Sequence, residues 1–361
     1  MLSETSGDLL TLHELVKAAH NKLPANIWDY LIGGADSETT LRRNRLSLDS
    51  LAFRPRVLRD VSKIDVSGRL LGKSLRIPVV LAPVGSLESF DEGAGATVTR
   101  ATTEFGVPMF LSSVSEPGLE DTAEAAPGGM RVYQLYVRGD DDFVDDRVKR
   151  AIDAGYDAFC LTVDTAIYSR RERDISTRFA KPWRRGVVGM EYQAGLNWSH
   201  VKRLRDNFDI PLILKGIATA EDATIACEHG IAGVYVSNHG GRQLDHGRGT
   251  LDILPEVVEA VRGRAAVIVD GAFCRGTDVI KAIALGADAV AIGRLYLYGL
   301  AAAGQMGVMR VLELLETEIR VSMGLLGVDS LAKLDKSYLY PAPPVYTPHV
   351  HSAFPLIEAG Y

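Results

Sequence analysis

Cysteine is scarce in this 361-residue chain: the three present, Cys160, Cys227 and Cys274, stand far apart, with no CxxC and no Cys/His cluster. Their spacing excludes a disulfide framework and a zinc site, so no metal is expected and a reducing cytoplasm is the expected compartment. Long apolar runs are also missing. No stretch of about 18 apolar residues occurs, and the N-terminus MLSETSGDLLTLHEL lacks a basic region followed by an apolar one, so neither a membrane span nor a signal peptide is expected. Charge of one sign does not dominate either. The formal net charge is −6 with acids and bases interspersed, which gives nucleic acid or an anionic membrane no reason to bind, and any anion must be met locally. What is abundant is apolar material, 47% against 24% charged, enough for a large core.

From residue 77 the chain repeats one pattern: a short apolar run, a loop with Gly or a polar residue, then a helical stretch. The runs are IPVVLAPVG (77–85), VPMFLSS (107–113), RVYQLYV (131–137), AFCLTVD (158–164), PLILKGI (211–217), GVYVSNH (233–239), AVIVDGA (266–272) and AVAIGRL (289–295). Runs without polar alternation suit strands buried on both faces, and intervening helices make the sheet parallel. Eight units predict an α/β fold of the (β/α)8 TIM-barrel class. Segments such as FVDDRVKRAIDAGYDA, TAEDATIACEHGIAG and RGTDVIKAIALGADA carry a helix-period apolar face and a Gly at the C-cap. The whole chain reads as one domain: an N-terminal helical cap over 1–76, a barrel over 77–328 and a tail over 329–361. The connection after the fourth strand, 165–198, is long and weakly periodic, which predicts a lid. The tail, rich in Pro and aromatics, reads as an extended arm packing on its own or a neighbouring subunit, so a homotetramer or other homo-oligomer is expected.

In such barrels the active site lies at the C-terminal strand ends, so polar residues directly after the apolar runs are candidates for chemistry. They are Ser113, Gln134 with Tyr136, Thr162 with Asp164, Lys215, Ser237 with His239, Asp270 and Arg294. Singly, each has a bland reading as a solvated strand end; together they are harder to dismiss. Gly271, Arg275 and the Gly293–Arg294 pair fall in the loops after strands seven and eight. Backbone N–H groups at a glycine turn and helix start, beside an Arg fork, make a phosphate site there. In VYVSNHGGRQLD, His239 and Arg242 share a tight glycine loop. An imidazole base and a guanidinium can then face one ligand, the Arg gripping a carboxylate bidentately. LTVDTAIYSRRERD supplies Asp164, able to orient an imidazole, and Arg171, a second anion ligand.

With these residues in view, the chain resembles the FMN-dependent 2-hydroxy acid oxidase and dehydrogenase family, which includes glycolate oxidase, lactate oxidase and mandelate dehydrogenase. The resemblance runs from about Leu12 to Leu331 and rests on SNHGGRQLD (237–245), with LTVDT, RRERDI, QLYV, LKGI, RGTDV and IGR in matching order. It implies FMN as cofactor, a small (S)-2-hydroxy acid as substrate, and oxygen or another acceptor for the electrons. It makes His239 the base, Asp164 its partner, Arg171 and Arg242 the carboxylate clamp, and Tyr30 and Tyr136 hydroxyl contacts to substrate. The flavin ring would meet the Pro83-Val84-Gly85 backbone, Ser113, Gln134, Thr162, Lys215 and Ser237, with Lys215 beside N1. Asp270, Gly271, Ala272, Gly293 and Arg294 would serve the ribityl chain and phosphate.

Three departures from the family pattern bear on specificity. Relatives have DGGVRRG where this chain has DGAFCRG, so Ala272 replaces a glycine and Cys274 an arginine that helps bind phosphate; Arg275 or Arg294 is then expected to compensate. Gly85 holds a position often occupied by Ala, and Val114 one where glycolate oxidase has Trp, which implies extra room. A flavin barrel acting on a larger or peptide-derived hydroxy acid in a biosynthetic pathway is the alternative these departures leave open. An isomerase acting on a diphosphate and a non-catalytic scaffold fit the His–Arg loop less well.

Overall fold

The computed structural model describes residues 9–182 and 188–360. Eight parallel strands close into a barrel: β1 Val79–Leu81, β2 Met109–Ser112, β3 Arg131–Leu135, β4 Ala158–Thr162, β5 Leu212–Ile217, β6 Gly233–Val236, β7 Ala266–Val269 and β8 Ala289–Ile292. Each falls inside one of the eight apolar runs. The ring closes where Val290 pairs with Val79. All but two positions are buried, because a strand covered by helices outside and side chains inside has no solvent face.

The barrel interior is a packed core. Val80, Phe110, Val132, Ile213, Tyr235 and Ile268 point inward as one cluster, with the Phe110 and Tyr235 rings edge to face at 5.7 Å. A hairpin, Gly68–Leu70 against Lys73–Leu75, adds Leu70 and Leu75 to that cluster and plugs the N-terminal mouth. Outer helices end at glycines in the left-handed region, Gly155 (φ +74°), Gly230 (φ +68°) and Gly286 (φ +101°), where a side chain would be strained.

Three helices precede the barrel: α1 Leu12–Lys22, α2 Ala25–Ile32 and α3 Thr39–Asp49. Thr11 and Glu14 form a capping box at the start of α1. Arg45 of α3 is fixed by Asp278, which it grips with both Nη atoms at 2.8 Å, and by Asp49. The N-terminal segment is thereby tied to the helix after β7. The closing helix, Arg294–Leu326, bends at Ala303 and Gly304, whose dihedrals are not helical. The tail returns over its own chain: Leu339–Pro341 pairs antiparallel with Leu51–Phe53, and Phe354 is buried.

The connection after β4 carries short helices Glu172–Ser176 and Met190–Ala194. It is pinned by Gln193, which donates to the Thr162 carbonyl at 2.9 Å and accepts from the Val137 N–H at 2.7 Å. The expected lid therefore rests on the ends of β3 and β4. Trp183 and the residues to 187 lie outside the described residues.

Candidate active site

After β6 the chain turns through His239, Gly240 and Gly241, all with positive φ (+61°, +64° and +77°). A left-handed histidine is costly and persists only where its surroundings fix it. Here its N–H donates to Ser237 Oγ at 3.0 Å, and Asn238, interlocked with Asn44 of α3, accepts from the Gly241 N–H at 3.0 Å. The glycines are required by space as well as by φ. A Cβ on Gly240 would sit 2.9 Å from Arg294 Nη1, and one on Gly241 2.5 Å from the Leu41 backbone.

This turn aims the imidazole at two partners. His239 Nδ1 lies 3.1 and 3.2 Å from the Asp164 carboxylate oxygens, and Nε2 lies 3.1 Å from the Tyr136 hydroxyl. A carboxylate can only accept, so the proton is assigned to Nδ1, which leaves the Nε2 lone pair facing the cavity and accepting from Tyr136. Burial, aided by the Lys215 charge, holds the imidazole below its usual pKa of 6.5 against the raising effect of Asp164. The ring is therefore neutral at pH 7. Burial alone would raise the Asp164 carboxyl, but His239 and Lys215 outweigh it and keep the carboxyl ionised. Asp164 comes this close because β5 carries Gly216 beside it (φ +114°), where a Cβ would meet Asp164 Cβ at 2.6 Å.

Two arginines flank the imidazole, Arg171 buried and Arg242 half-buried. Arg242 donates to the carbonyls of Tyr30 and Gly33 at 2.8 and 2.7 Å and lies over the Tyr30 ring. Arg171 donates to the Arg242 carbonyl at 3.2 Å and lies over Tyr168. Neither has an ion-pair partner among the described residues, and burial with the neighbouring Arg171 charge lowers Arg242 to about 10. Two such guanidiniums on one wall call for an anionic ligand. The Tyr30 hydroxyl, pushed up to about 12 by burial and so protonated, donates to the Gly85 carbonyl at 3.0 Å.

The opposite wall is built from consecutive strand ends. Gln134 on β3 and Thr162 on β4 are fully buried, yet Gln134 Nε2 and Oε1 and Thr162 Oγ1 have no hydrogen-bond partner among the described residues. On β5, in register with Thr162, Lys215 donates to Ser237 Oγ at 3.0 Å and lies 3.6 Å from Asp270. Unmatched donor and acceptor atoms beside a buried ammonium fit the edge of a heteroaromatic ring bearing N–H and carbonyl groups. Ser113 has a supporting place instead: its Oγ accepts from the Tyr136 N–H at 3.1 Å.

Beyond Lys215 the wall continues through Gly271, Ala272, Phe273, Cys274, Gly293 and Arg294, and Pro83, Val84 and Gly85 line it from β1. The cavity holds about 1400 Å³ including its open mouth. Of the two arginines expected to stand in for the one missing at Cys274, Arg294 lines the cavity. Arg275 does not: it is ion-paired with Glu318, because the helix it caps turns it toward the last helix.

Several residues that line or brace the site were not singled out by the sequence. Lys181 is buried, paired with Asp174, and sits over the Tyr30 and Tyr168 rings. It lies in the weakly periodic connection after β4, where no pattern distinguishes a buried lysine from a solvated one. Gln243 donates to the carbonyls of Asp164 and Ile167 at 3.2 and 3.0 Å and so steadies the Asp164 loop. Asn44 lay in a segment read only as a helical cap.

Residues 19–341 match the family model described as FMN-dependent dehydrogenase. The chain is 41% identical to glycolate oxidase 3 of Arabidopsis thaliana, over 92% of this chain and 96% of that one. It is 38% identical to L-lactate oxidase of Lysinibacillus sphaericus (strain C3-41) over the same shares. Among solved structures it is similar to mandelate oxidase with (S)-2-phenylpropionate, with a TM-score of 0.86, 39% identity, and coverage of 93% of this chain and 99% of that one.

Proposed function

The chain belongs to the FMN-dependent dehydrogenase family, and from that premise we propose that it oxidises a small (S)-2-hydroxy acid to the 2-oxo acid with His239 as base. It is an FMN-dependent oxidoreductase of the 2-hydroxy acid oxidase and dehydrogenase group. Its residues fit the cofactor: the unpartnered atoms of Gln134 and Thr162 complement the polar edge of a flavin ring, and Lys215 supplies positive charge beside it.

The observation that carries the reading is the neutral imidazole, fixed by Asp164, beside the buried Arg171 and half-buried Arg242, neither with an ion-pair partner among the described residues. Arg171 and Arg242 would hold the substrate carboxylate, and the Tyr30 and Tyr136 hydroxyls would orient the rest of the molecule. Converting the alcohol to a carbonyl removes two electrons and two hydrogens. His239 Nε2 takes one hydrogen as a proton, and Asp164 stabilises the imidazolium that forms. Bound FMN would supply the acceptor for the two electrons and the other hydrogen, with oxygen or another acceptor as the final oxidant. The positive charge of Lys215 would stabilise the negative charge that reduction develops nearby.

The wall at Gly85 and Val114 favours an acid larger than glycolate, and a larger or peptide-derived hydroxy acid is the second reading on the same ground. We further propose a single-domain enzyme working in the cytoplasm as a homo-oligomer; three free cysteines support the compartment. The test is anaerobic addition of aliphatic, aromatic and larger (S)-2-hydroxy acids to the purified yellow protein. Bleaching of the flavin by one class assigns the substrate, and no bleaching by any of them refutes the reading.

A further inference from the structure

We propose that the C-terminal tail at residues 349–354 is part of the FMN site, a wall that closes the phosphate end of the cavity and retains the cofactor mechanically where positive charge has been lost. The loss is visible in the loop after β7. Cys274 is buried at the cavity wall, and burial pushes its thiol up to about 12, so it carries no charge. Of the neighbouring arginines, Arg275 is turned out onto Glu318, and Arg45 is committed to Asp278 and Asp49. Among the described residues Arg294 is the one arginine that lines the cavity beside Cys274, its guanidinium already donating to the carbonyls of Leu31, Gly33 and Gly240. In barrels of this kind the loops after strands seven and eight take the phosphate.

The tail is built onto that same end. Val350 lines the cavity together with Cys274, Arg294 and Leu297. His351 stacks on Trp28 of α2 at 5.4 Å, and its Nε2 lies 3.4 Å from the hydroxyl of Tyr298, one turn into the helix that begins at Arg294. Phe354, 1% exposed, packs edge-on against Tyr298 and against His13 of α1. Arg275, turned away from the cavity, donates to the Ala353 carbonyl at 3.4 Å. The tail thus bridges α1, α2 and the last helix across the loops after β7 and β8. A ligand held by one arginine but enclosed by such a bridge is retained by a slow exit, and loss of the bridge acts on the dissociation rate.

The test compares FMN release from the intact holoenzyme, from a chain ending at residue 344, and from Phe354→Ala, with Phe105→Ala as a buried cavity of equal chemistry on an outer helix. Release is read as free-flavin fluorescence after dilution, and far-UV circular dichroism reports the fold. The expected result is release at least roughly tenfold faster for the truncated chain and for Phe354→Ala, with Phe105→Ala unchanged. Where the truncated chain does not fold, Phe354→Ala decides by the same criterion. Release within about twofold of wild type in a folded tail variant, or equal acceleration in Phe105→Ala, overturns the proposal.

Discussion

Replacing Asp164 with Asn tests the proposed base through its partner. The amide keeps the size of the carboxylate but not its charge. Opposite unit charges at the 3.1 Å Nδ1–Oδ1 separation attract by about 5.4 kcal/mol at an effective dielectric of about 20, a ceiling for what Asp164 gives the imidazolium. Residual solvent and the retained hydrogen bond reduce this, and half of it, about 2.7 kcal/mol, corresponds to roughly 100-fold in rate. Asn can also turn its NH₂ toward Nδ1 and select the wrong tautomer, which brings the expected loss in flavin reduction to between roughly 10²- and 10³-fold. Because Arg171 and Arg242 are untouched, the substrate concentration for half-maximal reduction should change little. The assay is anaerobic stopped-flow bleaching at saturating hydroxy acid. A reduction rate within about threefold of wild type would refute the claim that Asp164 supports a proton acceptor at His239.

Three further predictions concern buried titratable and charged groups. His239 and His351 are both held below the ordinary 6.5, the latter at about 4 by burial, with the His349 charge second. For such groups the unfolded chain binds more protons, so stability is full above pH 6.5 and is lost as pH falls from there toward 4; thermal melting at pH 7.5 and pH 5 checks the sign, and a higher Tm at pH 5 contradicts it. By the same shift, kcat/KM should stay flat down to 6.5 and decline only below it, and a rate that already halves at pH 7 argues against a neutral His239 as base. Asp278→Ala should cost about 3 kcal/mol in urea unfolding, because it strands the buried Arg45 with Asp49 alone; a loss under about 1 kcal/mol would show that the pair does not anchor α3.

The barrel was legible because a parallel strand leaves an unbroken apolar run, and eight such runs separated by helix-period segments admit few other closures. His239 and Asp164 were legible for a related reason: they end buried runs, where a polar side chain has little structural use, and Arg242 and Arg171 stand in the loops that follow. What did not show were contacts made by residues distant in sequence. Lys181 and Gln193 sit in a connection with no clear period, and only the folded chain lays them against Tyr30 and the ends of β3 and β4. Arg275 misled for the same reason, since its ion pair with Glu318 lies 43 residues away and no local pattern announces it. The tail's place beside Arg294 depends on α1 and α2 folding back over the barrel, which no single segment encodes.

The most direct test of the central claim removes the imidazole itself. His239→Asn should bind FMN with an unchanged visible spectrum, because the groups proposed for the flavin lie on the other strand ends except Ser237, whose bond from the residue 239 backbone N–H the substitution keeps. On anaerobic addition of the hydroxy acid that bleaches the wild type, it should stay yellow, with reduction slowed by at least roughly 10³-fold. Bleaching of His239→Asn at the wild-type rate would contradict the assignment of His239 as the base.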